Sequence, residues 1–371
     1  MKFLSLLATA ASALRLGSLN SIPATSPMVS WVGRTEPQGS SVFFDWEGVA
    51  ATVTLAPSVR LLTATIVDNC GGTGVGGGSR WAVSMAPSDG RVTPADHRIA
   101  LLYTDSAIQE YVLYSNPTAK CDPDCNFTGP TTFTLTRLTE SRLSGCSAAG
   151  NLSVAAFASD VAFVPPPPPL PRLLEFVGDS ISAGDLNAGF LASGVGSPAR
   201  CGNAAFNNDI LLGYGAGLCR AFGADCMHTA WGGITLQGMV PLYPFTFSST
   251  GPGAGYSPYS FPRAADAVVV NLGTNGGDSA AGLAAFAASI AKQYYRNSSL
   301  ALFLAYGPMT ASYQPSVVAA VANLTASGLR AFVLDLTLPH PMTGCFGHPS
   351  AADDVEIAAK AQPQIAQALG W

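Results

Sequence analysis

Short stretches of β-branched and aromatic residues recur between turn-forming residues in the first part of the chain. Within many of them apolar and polar positions alternate. The stretches are Ser41–Trp46, Ala51–Leu55, Leu61–Val67, Trp81–Met85, Ile99–Tyr103, Glu110–Tyr114, Thr131–Leu138 and Val154–Ala158. Short strands separated by turns are typical of two antiparallel sheets packed face to face. The pattern therefore predicts an all-β sandwich.

The pattern changes in the second part of the chain, where the apolar stretches are more continuous. They are Leu173–Val177, Ala267–Leu272, Ala301–Tyr306 and Ala331–Leu336. Stretches of helical character separate them, and Asn208–Phe222 is one predicted helix. Uniformly apolar strands that alternate with helices favour a parallel sheet covered by helices on both faces.

A proline run separates the two patterns. Pro165–Pro169 is followed by Leu170 and Pro171, and consecutive prolines hold an extended, stiff conformation. We therefore predict a two-domain protein, with a β-sandwich over 19–163, a linker over 164–172 and an α/β domain over 173–371. A ligand for a proline-recognition domain is the alternative interpretation of this run.

The N-terminus has the pattern of a secretory signal peptide over residues 1–13. Lys2 precedes the apolar run Phe3–Ala10, and the small residues Ala11–Ala13 fit a cleavage site. Later apolar runs are of strand length, short of the roughly 18–20 residues that a membrane-spanning helix needs. We therefore expect a secreted protein without a membrane span.

Composition narrows the class of partners and the redox compartment. The formal net charge is −5 and only 11% of residues are charged, which leaves no basic surface for nucleic acid. An even number of cysteines in an exported chain predicts disulfides, with the pairing left open. A zinc site on Cys121 and Cys125 is the alternative. The cysteines are Cys70, Cys121, Cys125, Cys146, Cys201, Cys219, Cys226 and Cys345, and glycosylation sequons stand at Asn126, Asn151, Asn297 and Asn323.

The stretch Glu175–Gly184 holds the candidate nucleophile. Its apolar strand runs into Gly178 and Asp179, which places the hydroxyl of Ser180 at the carboxyl edge of a parallel sheet. That edge is where α/β proteins bind ligands. A glycine-aspartate-serine turn alone is weak evidence, because these residues also form ordinary strand-ending turns.

Three further segments strengthen the prediction. Ala230–Ile234, Val270–Asn275 and Gly344–Ser350 follow the serine segment, and their order and spacing resemble the four motif blocks of SGNH (GDSL-like) hydrolases. The resemblance implies a flavodoxin-like three-layer fold and a serine esterase with no metal or cofactor.

The same resemblance implies a role for each site residue. Ser180 is the nucleophile and His348 its general base, since a serine hydroxyl needs a positioned base to attack an ester. The oxyanion hole consists of the backbone N–H groups of Ser180 and Gly233 and the side-chain amide of Asn275. Gly232 is the alternative to Gly233, and an ordinary turn is the alternative role for Asn275.

One position departs from the wider pattern. Most SGNH enzymes carry an aspartate three residues before the histidine, whereas this chain has Cys345 there. We expect Cys345 to form a disulfide and not to act as nucleophile. A Ser180–His348 dyad, in which a backbone carbonyl orients the imidazole, is favoured. The weaker candidates for an orienting carboxylate are Asp335, Asp353 and Asp354.

The first part of the chain resembles a more specific family. Val32–Arg34 and Phe43–Gly48, with the sandwich pattern, look like the N-terminal jelly roll of family two carbohydrate esterases. This implies removal of O-acetyl groups from an acetylated polysaccharide or oligosaccharide. A lipase or short-chain carboxylesterase and a catalytically silent carbohydrate-binding glycoprotein are the alternatives. The sequence does not specify the sugar or the oligomeric state.

The remaining histidines are His97, His228 and His340, for which structural or surface roles are expected.

Overall fold

The computed structural model describes residues 18–70, 78–87, 98–104, 108–115, 129–140, 152–189, 201, 207–248, 257–276 and 279–371. Several predictions concern residues outside these ranges. They are the signal peptide over 1–13, the zinc alternative at Cys121 and Cys125, and the roles of Cys146, His97, Asn126 and Asn151.

Twelve strands of the described residues form the β-sandwich. They are β1 (Asn20–Pro23), β2 (Val29–Val32), β3 (Glu36–Gln38), β4 (Ser41–Phe43), β5 (Ala50–Leu55), β6 (Leu61–Asp68), β7 (Ser79–Pro87), β8 (Arg98–Thr104), β9 (Ile108–Ser115), β10 (Thr131–Arg137), β11 (Leu152–Ser159) and β12 (Phe163–Val164). One antiparallel sheet has the order β3-β4-β11-β6-β9, with β1 beside β11. The other has the order β12-β5-β10-β7-β8, with β2 beside β5. The predicted jelly-roll sandwich is confirmed.

Alternation along β5 shows why these residues form strands. Val53 and Leu55 are fully buried in the core between the sheets. Thr52 points to the opposite face, where its hydroxyl bonds that of Thr134 on β10 at 3.1 Å. Side chains two apart share a face of a strand, so the apolar residues line the core.

A five-stranded parallel sheet forms the second part of the described chain. Its strands are β13 (Arg172–Gly178), β14 (Ala224–Ala230), β15 (Ala267–Asn271), β16 (Ala301–Tyr306) and β17 (Ala331–Asp335), in the order β14-β13-β15-β16-β17. This is the flavodoxin-like order, in which β13 stands where the connections change direction. The predicted parallel sheet is confirmed.

Five α-helices of the described residues accompany this sheet. They are α1 (Tyr214–Phe222), α2 (Leu236–Leu242), α3 (Ala280–Ser289), α4 (Gln314–Ala326) and α5 (Ala351–Leu369). Residues of α1 and α5 share one buried cluster with Phe176 of β13. Residues of α3 and α4 share another with Val268 of β15. Helices therefore cover both faces of the sheet, as predicted.

The predicted helix Asn208–Phe222 is wrong at its beginning. A short 3-10 helix spans Ile210–Leu212, and α1 begins only after Gly213, whose backbone is extended. The side chain of Asp209 caps the 3-10 turn by accepting a hydrogen bond from the N–H of Leu211 at 3.2 Å. A side-chain cap thus favours a separate turn over a continuous helix.

The strand predicted over Ser41–Trp46 ends at Phe43. Beyond it, Phe44 and Trp46 are both buried, and the carboxylate of Asp45 accepts a hydrogen bond from the N–H of Ser248 at 2.7 Å. The segment leaves the sheet because it packs against the second part of the chain. Along the described residues, no helix is both long and apolar enough to cross a membrane.

A buried ion pair joins the sandwich to β13 of the parallel sheet. The guanidinium of Arg34 donates to Glu175 of β13 at 2.9 Å, and both side chains are fully buried. Glu175 also accepts hydrogen bonds from the hydroxyls of Thr229 at 2.8 Å, Tyr243 at 2.7 Å and Tyr295 at 2.8 Å. Removal of one partner of such a pair leaves an uncompensated buried charge. The network therefore fixes β13, the strand that leads to Ser180.

Candidate active site

Three neighbouring strands end at the same level of the parallel sheet. Gly178, the last residue of β13, pairs with Ala230 of β14 on one side and with Asn271 of β15 on the other. Each of the serine, glycine and asparagine segments singled out from the sequence includes one of these residues. Strand register therefore brings the three segments to one edge, at the point where ligands bind in sheets of this order.

Ser180 lies in a tight turn that requires a glycine before it. A Cβ atom on Gly178 would lie 2.6 Å from Cβ of Ser182 and 2.9 Å from the carbonyl oxygen of Asn271, closer than real side chains approach. Asp179 fixes the turn, because its Oδ1 atom accepts a hydrogen bond from the N–H two residues on at 3.1 Å. Ser180 is 6% exposed, so its hydroxyl sits in a largely dry environment.

The structure brings His348 directly to Ser180. The Nε2 atom of His348 lies 2.9 Å from the Oγ atom of Ser180. Its Nδ1 atom lies 3.2 Å from the carbonyl oxygen of Cys345. A carbonyl oxygen only accepts hydrogen bonds, so Nδ1 carries the proton, and the lone pair of Nε2 faces the serine hydroxyl. This is the tautomer that a general base requires.

The loop that carries His348 is held at several points. Cys345 is disulfide-bonded to Cys201, which confirms the prediction that Cys345 is a bonded cysteine. The N–H of Gly344 donates to the carbonyl oxygen of His348 at 2.9 Å. Between them Phe346 has a φ of 54°, a left-handed conformation that costs a non-glycine residue about 1 kcal/mol or more. The closed loop therefore imposes the backbone geometry that aims the imidazole.

The three candidate orienting carboxylates have partners other than His348. Asp335 pairs with Lys360 at 2.9 Å. Asp353 accepts from the N–H of Ser350 at 2.8 Å and closes the capping box of α5. Asp354 accepts from the first N–H of α1 at 3.1 Å, and burial raises its pKa to about 7. These contacts give all three residues roles in holding α5 and its surroundings.

Gly233, the predicted oxyanion-hole residue, and its alternative Gly232 differ in their hydrogen bonds. The N–H of Gly232 donates to Oε2 of Glu140 at 3.0 Å. Gly233 has a φ of 77°, which glycine adopts without strain. Among the described residues, the N–H groups of Gly233 and Ser180 have no hydrogen-bond acceptor. Gly233 thus has an N–H group available for a ligand, whereas that of Gly232 is engaged.

The side chain of Asn275 is hydrogen-bonded to the turn over residues 231–234, called the glycine turn below because it contains Gly232 and Gly233. Its side-chain amide donates to the carbonyl oxygen of Ile234 at 3.0 Å, and the N–H of Trp231 donates to the carbonyl oxygen of Gly178 at 3.2 Å. These bonds connect the asparagine, the glycine turn and the end of β13. A primary amide has two N–H donors, so one hydrogen holds Asn275 to the turn while the second is available for a ligand.

Sequence reasoning missed two buried polar residues at this site. Glu140 follows β10 of the sandwich, and Asn208 precedes the 3-10 helix; both are almost completely buried. In the sequence, Asn208 stands at the start of a predicted helix and Glu140 at the end of a strand. Both positions are ordinary for polar residues, so neither carries a signal of its own.

His228 and His340, for which structural or surface roles were expected, have partners other than Ser180. His228 is buried in β14 and stacks on Phe176 with the ring centroids 5.6 Å apart, and burial lowers its pKa to about 3. His340 is partly exposed and contacts Glu356 at 3.1 Å. Within the described part of the chain, no group of three or more metal-ligating side chains is close enough to hold a metal ion.

Comparisons with known proteins identify structures of the same fold. No protein-family model and no curated protein matches the sequence. A family two carbohydrate esterase from Cellvibrio japonicus superposes with a TM-score of 0.74, at 18% identity, over 95% of this chain and 99% of that chain. An acetyl xylan esterase from the rumen bacterium Butyrivibrio proteoclasticus gives a TM-score of 0.71 at 17% identity, over 96% of this chain and 100% of that one.

A third structure adds a bound carbohydrate. It is a family two carbohydrate esterase from Clostridium thermocellum in complex with cellohexaose, with a TM-score of 0.68, 19% identity, and coverage of 92% of this chain and 99% of that chain. The coverage includes both the sandwich and the parallel sheet. The chain therefore has the two-part fold of these structures.

Proposed function

We propose that this chain is a secreted serine esterase that removes O-acetyl groups from carbohydrate. The observation that carries the proposal is the geometry of one imidazole. Nε2 of His348 lies 2.9 Å from Oγ of Ser180, and Nδ1 lies 3.2 Å from the carbonyl oxygen of Cys345. Both distances are those of hydrogen bonds that set up an activated serine.

In the proposed first step Ser180 attacks the carbonyl carbon of the acetyl ester. Nε2 of His348 takes the hydroxyl proton as the new C–O bond forms. The resulting imidazolium still donates a hydrogen bond from Nδ1 to the carbonyl oxygen of Cys345. The dipole of that carbonyl group stabilises the positive charge. The ring cannot rotate away from Ser180 without losing that bond.

The tetrahedral intermediate places negative charge on the former carbonyl oxygen. The N–H groups of Ser180 and Gly233 and the second amide hydrogen of Asn275 are the proposed donors to this oxygen. Support comes from the hydrogen bonds that fix the three segments to one another at the ends of adjacent strands. Such preorganised donors need little rearrangement when charge develops.

Collapse of the intermediate breaks the bond to the sugar oxygen. The imidazolium of His348 donates its Nε2 proton to that oxygen, and the deacetylated sugar leaves an acetyl group on Ser180. Water then attacks the acetyl group while Nε2 accepts a proton from it. A second tetrahedral intermediate then expels Oγ of Ser180, which takes the proton from Nε2 of His348, and the acetic acid released ionises to acetate.

Substrate class and secretion rest on independent observations. The structures with this fold are described as carbohydrate esterases, one of them an acetyl xylan esterase and another a complex with cellohexaose. The N-terminal apolar run and the disulfides Cys201–Cys345 and Cys219–Cys226 fit an exported protein.

Acetate release by the purified protein tests the proposal. The substrates are acetylated xylan and acetylated mannan, beside an aryl acetate and an aryl butyrate. We expect acetate from at least one polysaccharide and faster turnover of the aryl acetate than of the butyrate. Preference for the butyrate would support a general carboxylesterase or lipase. No turnover of any of the four would favour a carbohydrate-binding protein without activity.

A further inference from the structure

Glu140 reaches from the sandwich into the glycine turn of the candidate site. It lies three residues beyond the end of β10 and is 1% exposed. Its Oε2 atom accepts the N–H of Gly232 at 3.0 Å. Gly232 and Gly233 belong to the parallel-sheet part of the chain, so this bond crosses from one part of the fold to the other.

A second bond links Glu140 to the nucleophile turn. The backbone N–H of Glu140 donates to Oδ1 of Asn208 at 3.0 Å. The amide of Asn208 in turn donates to the carbonyl oxygen of Ala183 and to Oδ1 of Asp185, each at 3.0 Å. The N–H of Asp185 donates to the carbonyl oxygen of Ser180 at 2.9 Å. One residue of the sandwich is therefore connected to both the glycine turn and the serine turn.

The glycine turn needs an external constraint. Two consecutive glycines have more accessible backbone conformations than any other pair, yet an oxyanion donor acts only if its N–H has a fixed direction. The bond to Glu140 fixes the peptide between Trp231 and Gly232, which lies one residue before the N–H of Gly233. It also occupies the N–H of Gly232, which leaves that of Gly233 for the ligand.

We propose that Glu140 is a positioning residue for the oxyanion hole. By holding the N–H of Gly232, its carboxylate sets the direction in which the N–H of Gly233 points. The inference rests on the proposed esterase function. It adds that turnover depends on a residue of the β-sandwich. In this account the sandwich supplies part of the catalytic preorganisation, in addition to any contact it makes with a glycan.

The charge of the Glu140 carboxylate and the length of the Glu140 side chain lead to different predictions for turnover. Substitutions that change one and keep the other therefore test the role. A carboxylate near the oxyanion opposes the developing negative charge, so a purely electrostatic effect predicts faster turnover when that carboxylate is neutralised. A positioning role predicts no gain, because an amide oxygen also accepts the N–H of Gly232. Arg137 is buried close enough to Glu140 to interact with its charge, which reduces the electrostatic effect further.

The test compares Glu140→Gln with Glu140→Asp in the full chain. Glutamine keeps the reach and removes the charge, whereas aspartate keeps the charge and shortens the side chain by one methylene. For Glu140→Gln we expect kcat within about threefold of the wild type on an aryl acetate. For Glu140→Asp we expect a loss of about 10-fold or more in kcat with KM within about twofold, below the roughly 10²–10³-fold loss of a whole donor.

Two further measurements separate positioning from general destabilisation. The rate of inactivation by an aryl phosphonate, whose phosphoryl oxygen occupies the oxyanion hole, should fall in Glu140→Asp in parallel with kcat. Hydrogen exchange at the N–H of Gly232 should become faster. The matched control is Asp209→Asn, which weakens another buried contact across the same interface, the bidentate pair with Arg98 at 2.7 and 3.1 Å. It should lower Tm and leave kcat within about twofold.

Unchanged kcat and phosphonate inactivation in Glu140→Asp would overturn the role of Glu140 while leaving the esterase intact. Equal losses in Glu140→Gln and Glu140→Asp would also overturn it, because reach would then not matter. If the wild type turns over neither aryl nor carbohydrate esters, the proposed function fails first, and the role of Glu140 fails with it. The wild-type assay therefore distinguishes the two failures.

Discussion

The imidazole of His348 and the carbonyl oxygen of Cys345 belong to one loop, with Nδ1 and the oxygen 3.2 Å apart. In the proposed mechanism this backbone carbonyl takes the place that an aspartate holds in most serine triads. It fixes the ring and its tautomer but supplies only a dipole to the imidazolium. Orientation therefore depends on the backbone of this loop, which a disulfide from Cys345 to Cys201 fastens.

Replacement of His348 by alanine should lower kcat by at least about two orders of magnitude, because a positioned general base contributes roughly 10²–10⁴-fold. Asp335→Asn is the matched carboxylate control. Asp335 pairs with Lys360, so its replacement should change kcat by no more than about twofold. Steady-state kinetics on an aryl acetate gives both values.

Asp354→Asn is a second carboxylate control. In the wild type, the carboxylate of Asp354 accepts hydrogen bonds from the side-chain amide of Asn187 at 3.1 Å and from the first N–H of α1. We expect lower stability and little change in kcat. If either aspartate variant loses as much kcat as His348→Ala, a carboxylate orients the imidazole and the dyad is wrong.

Loss of the Cys201–Cys345 disulfide should affect both stability and turnover. Its cysteines are 144 residues apart in sequence, whereas those of Cys219–Cys226 are 7 apart. Loop entropy predicts losses of about 5 and about 2 kcal/mol in the free energy of unfolding when each pair is replaced by serines. Denaturant unfolding measures these losses.

Only replacement of the Cys201–Cys345 pair should lower kcat, by several-fold, because only this pair holds the loop of His348. Remaining turnover in that variant also tests whether Cys345 is a nucleophile. Complete loss of activity, with the fold intact, would reopen that assignment. Equal kcat values in the two serine-substituted proteins would show that the loop does not need the disulfide.

Asn275→Ala should lower kcat by roughly 10²–10³-fold with a small change in KM, as expected for one oxyanion donor. Asn271→Ala is the comparison, since Asn271 is buried in β15 and its side chain bonds the hydroxyl of Tyr313 at 3.0 Å. That variant should lose stability, measured as Tm, more than turnover. The reverse ranking of the two kcat values would contradict the assignment of Asn275.

Burial of His228 gives the protein a predicted sensitivity to acid. Its pKa in the folded state is lowered to about 3 from an ordinary value near 6.5, so the unfolded state binds the proton more readily. The stability associated with the neutral ring is complete above about pH 6.5. It is lost as the pH falls toward 3, by up to about 1.4 kcal/mol per pH unit.

His228→Phe removes this titration and keeps a ring that stacks on Phe176. The difference in free energy of unfolding between wild type and variant, measured by urea unfolding at several pH values, should change between pH 6.5 and 4. Asp354, whose pKa is raised to about 7, acts in the opposite direction but cancels in this difference. A pH-independent difference would show that His228 is not buried in its neutral form.

The order and spacing of the motif segments led to the prediction that Ser180 and His348 act together, and the structure places Nε2 of His348 2.9 Å from Oγ of Ser180. The motif pattern favoured Gly233, with Gly232 as the alternative, because two consecutive glycines fit the pattern in either of two registers. The choice depends on Glu140, which is 92 residues from Gly232 along the chain. A contact of that separation has no local signal.

Strands with a clear hydrophobic pattern could be predicted from the sequence, whereas very short strands could not. Long alternating or apolar stretches such as Leu61–Asp68 and Ala301–Tyr306 were predictable as strands. Strands of two to four residues, such as Glu36–Gln38 and Phe163–Val164, are too short to show a period. The extended conformation of these short strands depends on the neighbouring strands with which they pair.

A covalent acetyl-enzyme tests the central claim most directly. Wild-type protein is mixed with an aryl acetate, quenched in acid within the first turnovers and digested for peptide mass spectrometry, with Ser180→Ala treated in parallel. The account predicts an acetyl group on Ser180 in the wild type, and no acetyl group and no turnover in a correctly folded Ser180→Ala. An acetyl group on another residue, or undiminished turnover by the variant, would contradict the assignment of Ser180 as the nucleophile.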